Sequence, residues 1–374
     1  MKTNERTVKR IRNSALGLVL ASCACLLALG GTPQAQNDRI VLKGGKDKTV
    51  RIKKEDLDGV WYPGSGGAGD TIVKWSEVDS IVYGSADAYQ KALETLNSGR
   101  VADAASQFEA LAANADLRVV LRQNVLFHLA FDDVRLGKAD EALTRYKELL
   151  EGFPKSRYLL PIGSSLLSIH LAKKDVAGAA KALEPVLAAA KDVGPDAPVQ
   201  AALGILRGRL LEEQKKIDDA ASTYDGTLRN PKAEPDVILA AKLGLARCAQ
   251  KRGQSNDADK RYRELAKGDG PNTLLAGAWN GLGDLALEQA IKSRDQDGLR
   301  VALLSYLRGV VLYVPDPGEA SDELERSLAG ASRAFKSMSE LEGNADRKQV
   351  YLERARQLRS QLTTQFPGSR FLEE

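Results

Sequence analysis

Apolar positions follow a helical spacing over most of this chain, and a small residue recurs four places before a large one. The six pairs are Ala104/Phe108, Ala142/Tyr146, Ala179/Leu183, Ala220/Tyr224, Ala258/Tyr262 and Ala302/Tyr306. Their first members lie 37 to 44 residues apart. Such a period is typical of stacked helical hairpins, because each hairpin covers its apolar face only by packing against its neighbours. The pattern predicts six hairpins over residues 85–317.

Each predicted hairpin consists of two amphipathic helices joined by a tight turn. Gly99 and Gly137 mark the first two turns, since glycine readily takes the left-handed conformation that ends a helix. The third unit has Lys173-Lys174-Asp175 at this place, and the sixth carries about seven extra residues around 293–298. Residues 318–374 predict an atypical C-terminal helical hairpin, as expected where one face of an array meets solvent.

One segment of the sixth unit carries a recognisable motif. Trp279, Leu282 and Gly283 match the W-x-x-L-G opening of the tetratricopeptide repeat (TPR), and Gly208 holds the same small position in the fourth unit. With six units in phase, the chain resembles TPR proteins from residue 85 to about residue 315. The resemblance implies a mainly α fold, a right-handed TPR α-solenoid. It also implies that the first helices form a concave surface that binds a protein or peptide partner.

The resemblance selects a set of candidate partner-binding residues on this concave surface. They are Tyr89, Asn124, Phe127, Phe131, Arg209, Arg247 and Asn280. Aromatic residues and arginines are the usual anchors of protein interfaces. For Phe127 and Phe131 the alternative is burial in the core, which is the commoner place for an apolar pair one helical turn apart.

Before the helices, residues 38–84 alternate with a period of two. Five short β-type runs stand at 40–42, 50–52, 60–62, 72–73 and 81–83, with turn residues between them. Short strands with tight turns predict a small β-barrel or curled sheet. The layout resembles the SH3-like or Sm-like barrels near the start of some exported bacterial proteins. Because so small a unit has little core of its own, we expect it to pack on the first helical hairpin.

A glycine-rich stretch within this region, Gly64 to Gly69, matches the G-x-G-x-x-G pattern of dinucleotide sites. Such a site requires a helix after the glycines, so that the helix N-terminus faces the pyrophosphate. Here Asp70 to Lys74 reads as a strand. The stretch is therefore interpreted as a hairpin loop.

Basic residues crowd two neighbouring predicted strands. They are Lys43, Lys46, Lys48, Arg51, Lys53 and Lys54. This patch could bind an anionic envelope polymer or lipid headgroups. The alternative is a solvated face or a protected edge strand, which the balance of eight charges of each sign over residues 38–84 favours.

The N-terminus has the order of a secretory leader. A basic stretch ends at Arg12, an apolar run follows over residues 15–31, and cleavage is predicted after Ala35, giving a signal peptide over residues 1–35. Retention of the run as a membrane anchor is one alternative. Lipidation at Cys23 is another, because Leu20-Ala21-Ser22-Cys23 resembles a bacterial lipoprotein box.

The leader also changes the reading of charge and cysteine content. The chain's net charge is +4, but residues 1–37 hold five Lys/Arg and one Glu, so the remainder carries 49 charges of each sign. No attraction to nucleic acid follows from such a balance. Cys248 is the one cysteine after the leader and is expected to be a buried apolar residue.

No catalytic, metal or cofactor site is predicted. The chain has two histidines, no Cys/His cluster and neither a G-x-S-x-G nor an H-E-x-x-H motif. The sequence thus favours an exported, non-catalytic TPR scaffold that mediates protein–protein interactions in the bacterial cell envelope, in the periplasm or outer envelope. The alternatives are a polymer- or lipid-binding protein that uses the basic strands, and a membrane-tethered assembly lipoprotein.

Overall fold

The computed structural model describes residues 37–64, 66, 69–191, 197–315 and 322–373, so the predicted leader lies outside the described residues. Within this part the chain forms six short strands and then fourteen α-helices. Consecutive helices pack against each other in hairpins, and neighbouring hairpins stack. The fold is therefore a mainly α solenoid with a small β-region at its start.

The β-region contains two antiparallel sheets. Its strands are β1 (Asp38–Leu42), β2 (Asp47–Val50), β3 (Lys54–Glu55), β4 (Gly59–Pro63), β5 (Asp70–Lys74) and β6 (Val78–Val82). The strand orders are β2-β1-β6 and β3-β4-β5. The ladders of the described residues thus form two small sheets where the sequence predicted a small β-barrel or curled sheet. After Val50 the amide of Ile52 donates to the side chain of Asp38 in β1 (2.8 Å), and the next amide, that of Lys53, donates to the carbonyl of Trp61 in β4 (2.8 Å).

The glycine-rich stretch joins two antiparallel strands. Pro63 at the end of β4 pairs with Asp70 at the start of β5, and the amide of Gly64 donates to the carbonyl of Gly69 (3.1 Å). No helix N-terminus follows the glycines, so they have no place at which to hold a pyrophosphate. The interpretation as a hairpin loop is confirmed.

The helices form seven consecutive pairs. They are α1 (Asp87–Asn97), α2 (Val101–Ala112), α3 (Val119–Arg135), α4 (Ala139–Gly152), α5 (Leu159–Ala172), α6 (Val176–Ala188), α7 (Pro198–Glu213), α8 (Ile217–Leu228), α9 (Pro235–Lys251), α10 (Ser255–Ala266), α11 (Asn272–Ser293), α12 (Gln296–Val311), α13 (Glu323–Leu341) and α14 (Ala345–Gln365). The first six pairs lie within residues 85–317, and α13 and α14 follow as a seventh pair. The extra residues of the sixth unit lengthen both of its helices, α11 and α12, which have 22 and 16 residues.

The small-then-large pairs of the sequence lie at the centre of the hairpins. Both members of all six pairs have no exposed surface. Tyr224 shows why small residues are needed there, because its ring lies between Gly208 of α7 and Gly244 of α9. The tyrosine of one hairpin therefore packs against the first helices of two successive units, and this contact joins neighbouring hairpins.

Each of the six hairpin turns contains one residue with positive φ. Glycine holds this position in the first, second and fifth units, at Gly99, Gly137 and Gly253. Lysine or arginine holds it in the third, fourth and sixth units, at Lys174, Lys215 and Arg294, with φ of 56°, 61° and 53°. The turn geometry is thus kept where glycine is missing, although a left-handed non-glycine residue costs roughly 1 kcal/mol or more.

The β-region packs on the first helices, as expected. Ile40, Val60 and Val73 share one apolar cluster with Phe108 of α2 and Val125 of α3. A buried ion pair fixes the same junction.

Both terminal nitrogens of Arg118, the residue before α3, lie 2.7 Å from the carboxylate of Asp38. The Asp38 carboxylate also accepts from the amides of Ile52 and Gly84. Burial by itself would raise the pKa of Asp38, but these hydrogen bonds outweigh burial and lower it. The β-region is thereby held to the solenoid.

Candidate functional site

The first helices of consecutive units form one layer, and this layer bounds a cavity of about 590 Å³. We call it the inner cavity. Its described walls come from α7, α9, α11 and α13 and from the C-terminal turn around Arg370. The charged residues among them are Arg209, Glu212, Glu213, Arg247, Lys251, Asp284, Glu288, Asp322, Glu323, Arg326, Arg333 and Arg370. Six are acidic and six are basic, so the described lining has no net charge.

Ion pairs across the inner cavity join helices that are distant in the sequence. Arg247 lies between Glu212 (3.6 Å) and Glu323 (3.3 Å). Arg326 contacts Glu323 at 3.5 Å and also pairs with Asp284. Because partly buried charges require partners, this network fixes the positions of the side chains before any ligand arrives.

Tyrosine hydroxyls from the second helices hold three cavity side chains in place. Tyr224 donates to Glu212 (2.6 Å), Tyr262 to Gln250 (2.8 Å) and Tyr306 to Asp284 (2.6 Å). Each tyrosine ring is fully buried, so its hydroxyl must find a partner, and the partner lies at the cavity surface. These three acceptors were not predicted from the sequence. The signal in the sequence that could have found two of them is the separation of twelve residues between Glu212 and Tyr224 and between Gln250 and Tyr262.

Electrostatics keep the central acid of the network ionised. Burial by itself would raise the pKa of Glu212, but Arg247, Lys251 and the Tyr224 hydroxyl outweigh it and lower the pKa. Lys251 Nζ lies 3.0 Å from Glu212 Oε2. The inner cavity therefore presents fixed charges of both signs near neutral pH.

Two of the seven predicted partner-binding residues, Arg209 and Arg247, line the inner cavity. The other five, Tyr89, Asn124, Phe127, Phe131 and Asn280, are buried, with 7 % or less of their surface exposed. For Phe127 and Phe131 the alternative of a core position is thus the one observed. Asn280 donates to both the backbone carbonyl and the carboxylate of Glu323 (2.9 and 2.8 Å), so it positions a cavity acid from below.

Asn124 belongs to a ring of polar side chains between the β-region and the solenoid. Arg157 pairs with Glu55 (3.0 Å), Glu55 accepts from Tyr83, and Asn124 donates to Tyr83 (2.8 Å). Tyr158 donates to Asn124 (2.7 Å) and accepts from Arg157 (2.7 Å), which closes the ring. Phe127 packs beside it, with its ring centroid 3.9 Å from that of Tyr158. The arrangement is a structural joint and leaves Asn124 and Phe127 no surface for a partner.

Ion pairs occupy part of the predicted basic patch. Lys53 lies 2.7 Å from Asp70, and Lys54 lies 2.8 Å from Asp56 and above the ring of Trp61. Lys48 donates to the Tyr62 hydroxyl (3.0 Å).

Lys43 and Lys46 are exposed, and Arg51 is half-buried. Acidic neighbours thus reduce the local positive charge that binding to an anionic polymer would need.

Among the described residues, no group of three His, Cys, Asp or Glu side chains is placed to hold a metal ion. In the same part of the chain no helix has both the length and the apolar character needed to cross a bilayer.

Comparisons with known proteins give structural similarity only. No family model and no curated protein matches the chain. A TPR protein from Parabacteroides merdae is similar with 17% identity and a TM-score of 0.43, over 72% of this chain and 98% of that one. PilW, a widely conserved type IV pilus biogenesis factor, is similar with 18% identity and a TM-score of 0.37, over 67% of this chain and 96% of that one. PilF of Pseudomonas aeruginosa is similar with 15% identity and a TM-score of 0.35, over 67% of this chain and 95% of that one.

Proposed function

We propose that this chain is an exported, non-catalytic scaffold of the bacterial cell envelope and that it holds a protein partner in the inner cavity. The observation that carries the proposal is the cavity itself, whose walls come from four successive first helices and present charges of both signs. Twelve of the sixteen described lining residues are charged. Small-molecule pockets are mostly apolar, so this lining favours a polar polypeptide segment. The balance of signs disfavours nucleic acid, whose binding requires net positive charge.

The inner cavity offers one exposed apolar contact that can be tested without disturbing the core. Ile291 lines the cavity and is 51% exposed, whereas Val301 on α12 is 54% exposed and is not among the described lining residues. The tagged full chain, its Ile291→Asp variant and its Val301→Asp variant are each used to capture proteins from the envelope fraction. We expect Ile291→Asp to lose the captured partner and Val301→Asp to keep it. Equal capture by the two variants would contradict binding at the cavity.

The export part of the proposal is supported by the order of basic, apolar and small residues in the leader. Intact mass measurement of the protein purified from its native envelope distinguishes the three possible products. Cleavage after Ala35 yields a chain that begins at Gln36. Lipidation yields an acylated chain that begins at Cys23, and a retained anchor keeps the full mass. Recovery of the uncleaved chain from the cytoplasm alone would contradict export.

A further inference from the structure

A seven-residue motif occurs twice in this chain with the same local structure. The copies are Phe153–Leu159 and Phe366–Leu372, and both read Phe-Pro-x-Ser-Arg-aromatic-Leu. In both, the serine amide donates to the phenylalanine carbonyl (2.9 and 3.0 Å), and the serine hydroxyl accepts from the amide of the aromatic residue (3.1 and 3.2 Å). The arginine lies over the following aromatic ring in both, at 4.6 and 4.8 Å from its centroid. The motif is thus a preformed unit that presents an arginine beside an aromatic ring.

The first copy is a permanent structural joint. Arg157 takes part in the closed polar ring with Glu55 and also stacks on Trp75 at 4.9 Å. None of its polar atoms is both buried and without a hydrogen-bond partner. Leu159, the last residue of the motif, is completely buried. In this copy the arginine is held by Glu55 and Tyr158, and the Oε2 atom of Glu55 makes the ion pair but no hydrogen bond.

The second copy lies at the inner cavity. Arg370 contacts Glu213 of α7 (3.2 Å) and Asp322 (2.9 Å), and its neighbour Phe371 packs on Leu328 and Leu362. Against the effect of burial, Arg209 and Arg370 lower the pKa of Asp322, so this acid is ionised. The two acids thus form a site for a guanidinium group flanked by an apolar pocket.

The same copy also bridges the solenoid. A Cβ atom built on Gly137, in the turn between α3 and α4, would lie 3.5 Å from the Cβ of Pro367. The segment therefore spans from the second unit to α7 of the fourth unit, although it follows the terminal hairpin in the sequence. It covers one side of the inner cavity.

The second copy fits less completely than the first. The Nε atom of Arg370 is buried without a hydrogen-bond partner, and so is the Nε atom of Arg247 in the same cavity. Leu372 is half-buried where its counterpart in the first copy, Leu159, is fully buried. A buried donor without an acceptor costs free energy, so it weakens the contact of the segment in place.

We propose that Phe366–Leu372 is a segment of the chain itself that occupies the inner cavity, and that the protein partner binds by replacing this segment. The replacing segment of the partner places an arginine and the following aromatic residue against Glu213, Asp322 and the apolar pocket. The proposal names the chemical class of partner for the proposed function and rests on it. The chain itself supplies the recognition element twice, which is why we assign an arginine–aromatic segment and not an acidic one.

A fluorescent peptide with the sequence of residues 366–373 tests the proposal by fluorescence anisotropy on the full chain. A tethered segment competes at an effective concentration in the millimolar range, so wild-type protein should bind the peptide weakly. The variant Arg370→Ala/Phe371→Ala removes the competing side chains, and we expect its dissociation constant to be at least about tenfold lower than that of wild type. Adding Glu213→Gln and Asp322→Asn to this variant should weaken binding about tenfold again, since charge-assisted contacts are lost. A peptide with Glu in place of the arginine is the matched control.

A reversible lock separates occupancy from misfolding. The 3.5 Å between the built Cβ of residue 137 and the Cβ of Pro367 is within the range of a disulfide, so Gly137→Cys/Pro367→Cys should trap the segment in place, at a cost of roughly 1 kcal/mol or more because residue 137 has a φ of 74°. We expect the oxidised protein to bind no peptide and the reduced protein to bind as wild type does. Equal binding by both forms, or no binding by the Arg370→Ala/Phe371→Ala variant with an unchanged circular dichroism spectrum, would overturn the proposal. If the partner is still captured through Ile291 in that case, only this inference fails and the proposed function stands.

Discussion

The stacking of neighbouring hairpins depends on one geometric requirement that a single methyl group tests. The ring of Tyr224 lies between Gly208 and Gly244, and replacement of Gly244 by alanine would place a Cβ 2.7 Å from its Cδ2 atom. Non-bonded carbon atoms prefer a separation of about 3.5–4.0 Å. The ring cannot move away, because a Cβ position on Gly208 is equally close to its opposite edge and Glu212 holds its hydroxyl at 2.6 Å.

The expected magnitude follows from two opposing terms. Alanine is favoured over glycine in a helix interior by about 1 kcal/mol. Overpacking of a rigid site costs about 1–3 kcal/mol, and the close approach at both edges of the ring places Gly244→Ala at the upper end. We therefore expect a net loss of about 2 kcal/mol in the free energy of unfolding. Gly226→Ala in α8 is the matched control, because no heavy atom lies within 4 Å of its Cβ position, and it should gain up to about 1 kcal/mol.

Denaturant unfolding followed by far-UV circular dichroism measures both variants. The reasoning predicts opposite signs and a difference of about 3 kcal/mol between Gly244→Ala and Gly226→Ala. In a Tyr224→Ala background the space beside residue 244 is vacant, so the same Gly244→Ala substitution should become stabilising. If the two glycine substitutions shift stability equally, or if the Tyr224→Ala background leaves the cost unchanged, the account of hairpin stacking is wrong.

Three further predictions concern charge and turn geometry. Burial raises the pKa of Asp132 from 3.8 to about 7, so its contribution to stability is present below pH 3.8 and is lost as pH rises to 7. Between pH 4 and pH 8 the free energy of unfolding of Asp132→Asn should therefore rise relative to that of wild type by up to about 4 kcal/mol. A difference between the two proteins that does not depend on pH would contradict this. Arg118→Ala leaves the buried Asp38 carboxylate without its cation and should cost about 3 kcal/mol, with faster hydrogen exchange in β1; unchanged exchange would argue against the joint. Lys215→Gly should stabilise by about 1 kcal/mol because φ is 61° there, and a loss in thermal melting would refute this.

The sequence by itself determined the hairpins. Periodicity and the buried small-then-large pairs depend on contacts within one unit and with its immediate neighbour, and such contacts recur at a fixed spacing that a reader of the sequence can see. The glycine-rich loop was also predictable, since the strand after it excludes the helix that a dinucleotide site requires. The two sheets were less predictable from the sequence. The chain passes from one sheet to the other near Ile52, whose amide donates to the Asp38 carboxylate, and no local pattern records this contact.

Only the tertiary structure decided which residues face the inner cavity. Asn124 and Arg247 were both expected on the concave side, yet the first is buried under the β-region and the second lines the cavity. The sequence shows that Phe366–Leu372 repeats an earlier motif, but not that Arg370 reaches Glu213, a residue 157 positions away. Helical periodicity fixes the direction of a side chain relative to its own helix, whereas the small rotation between successive hairpins, summed over the array, decides what that side chain meets.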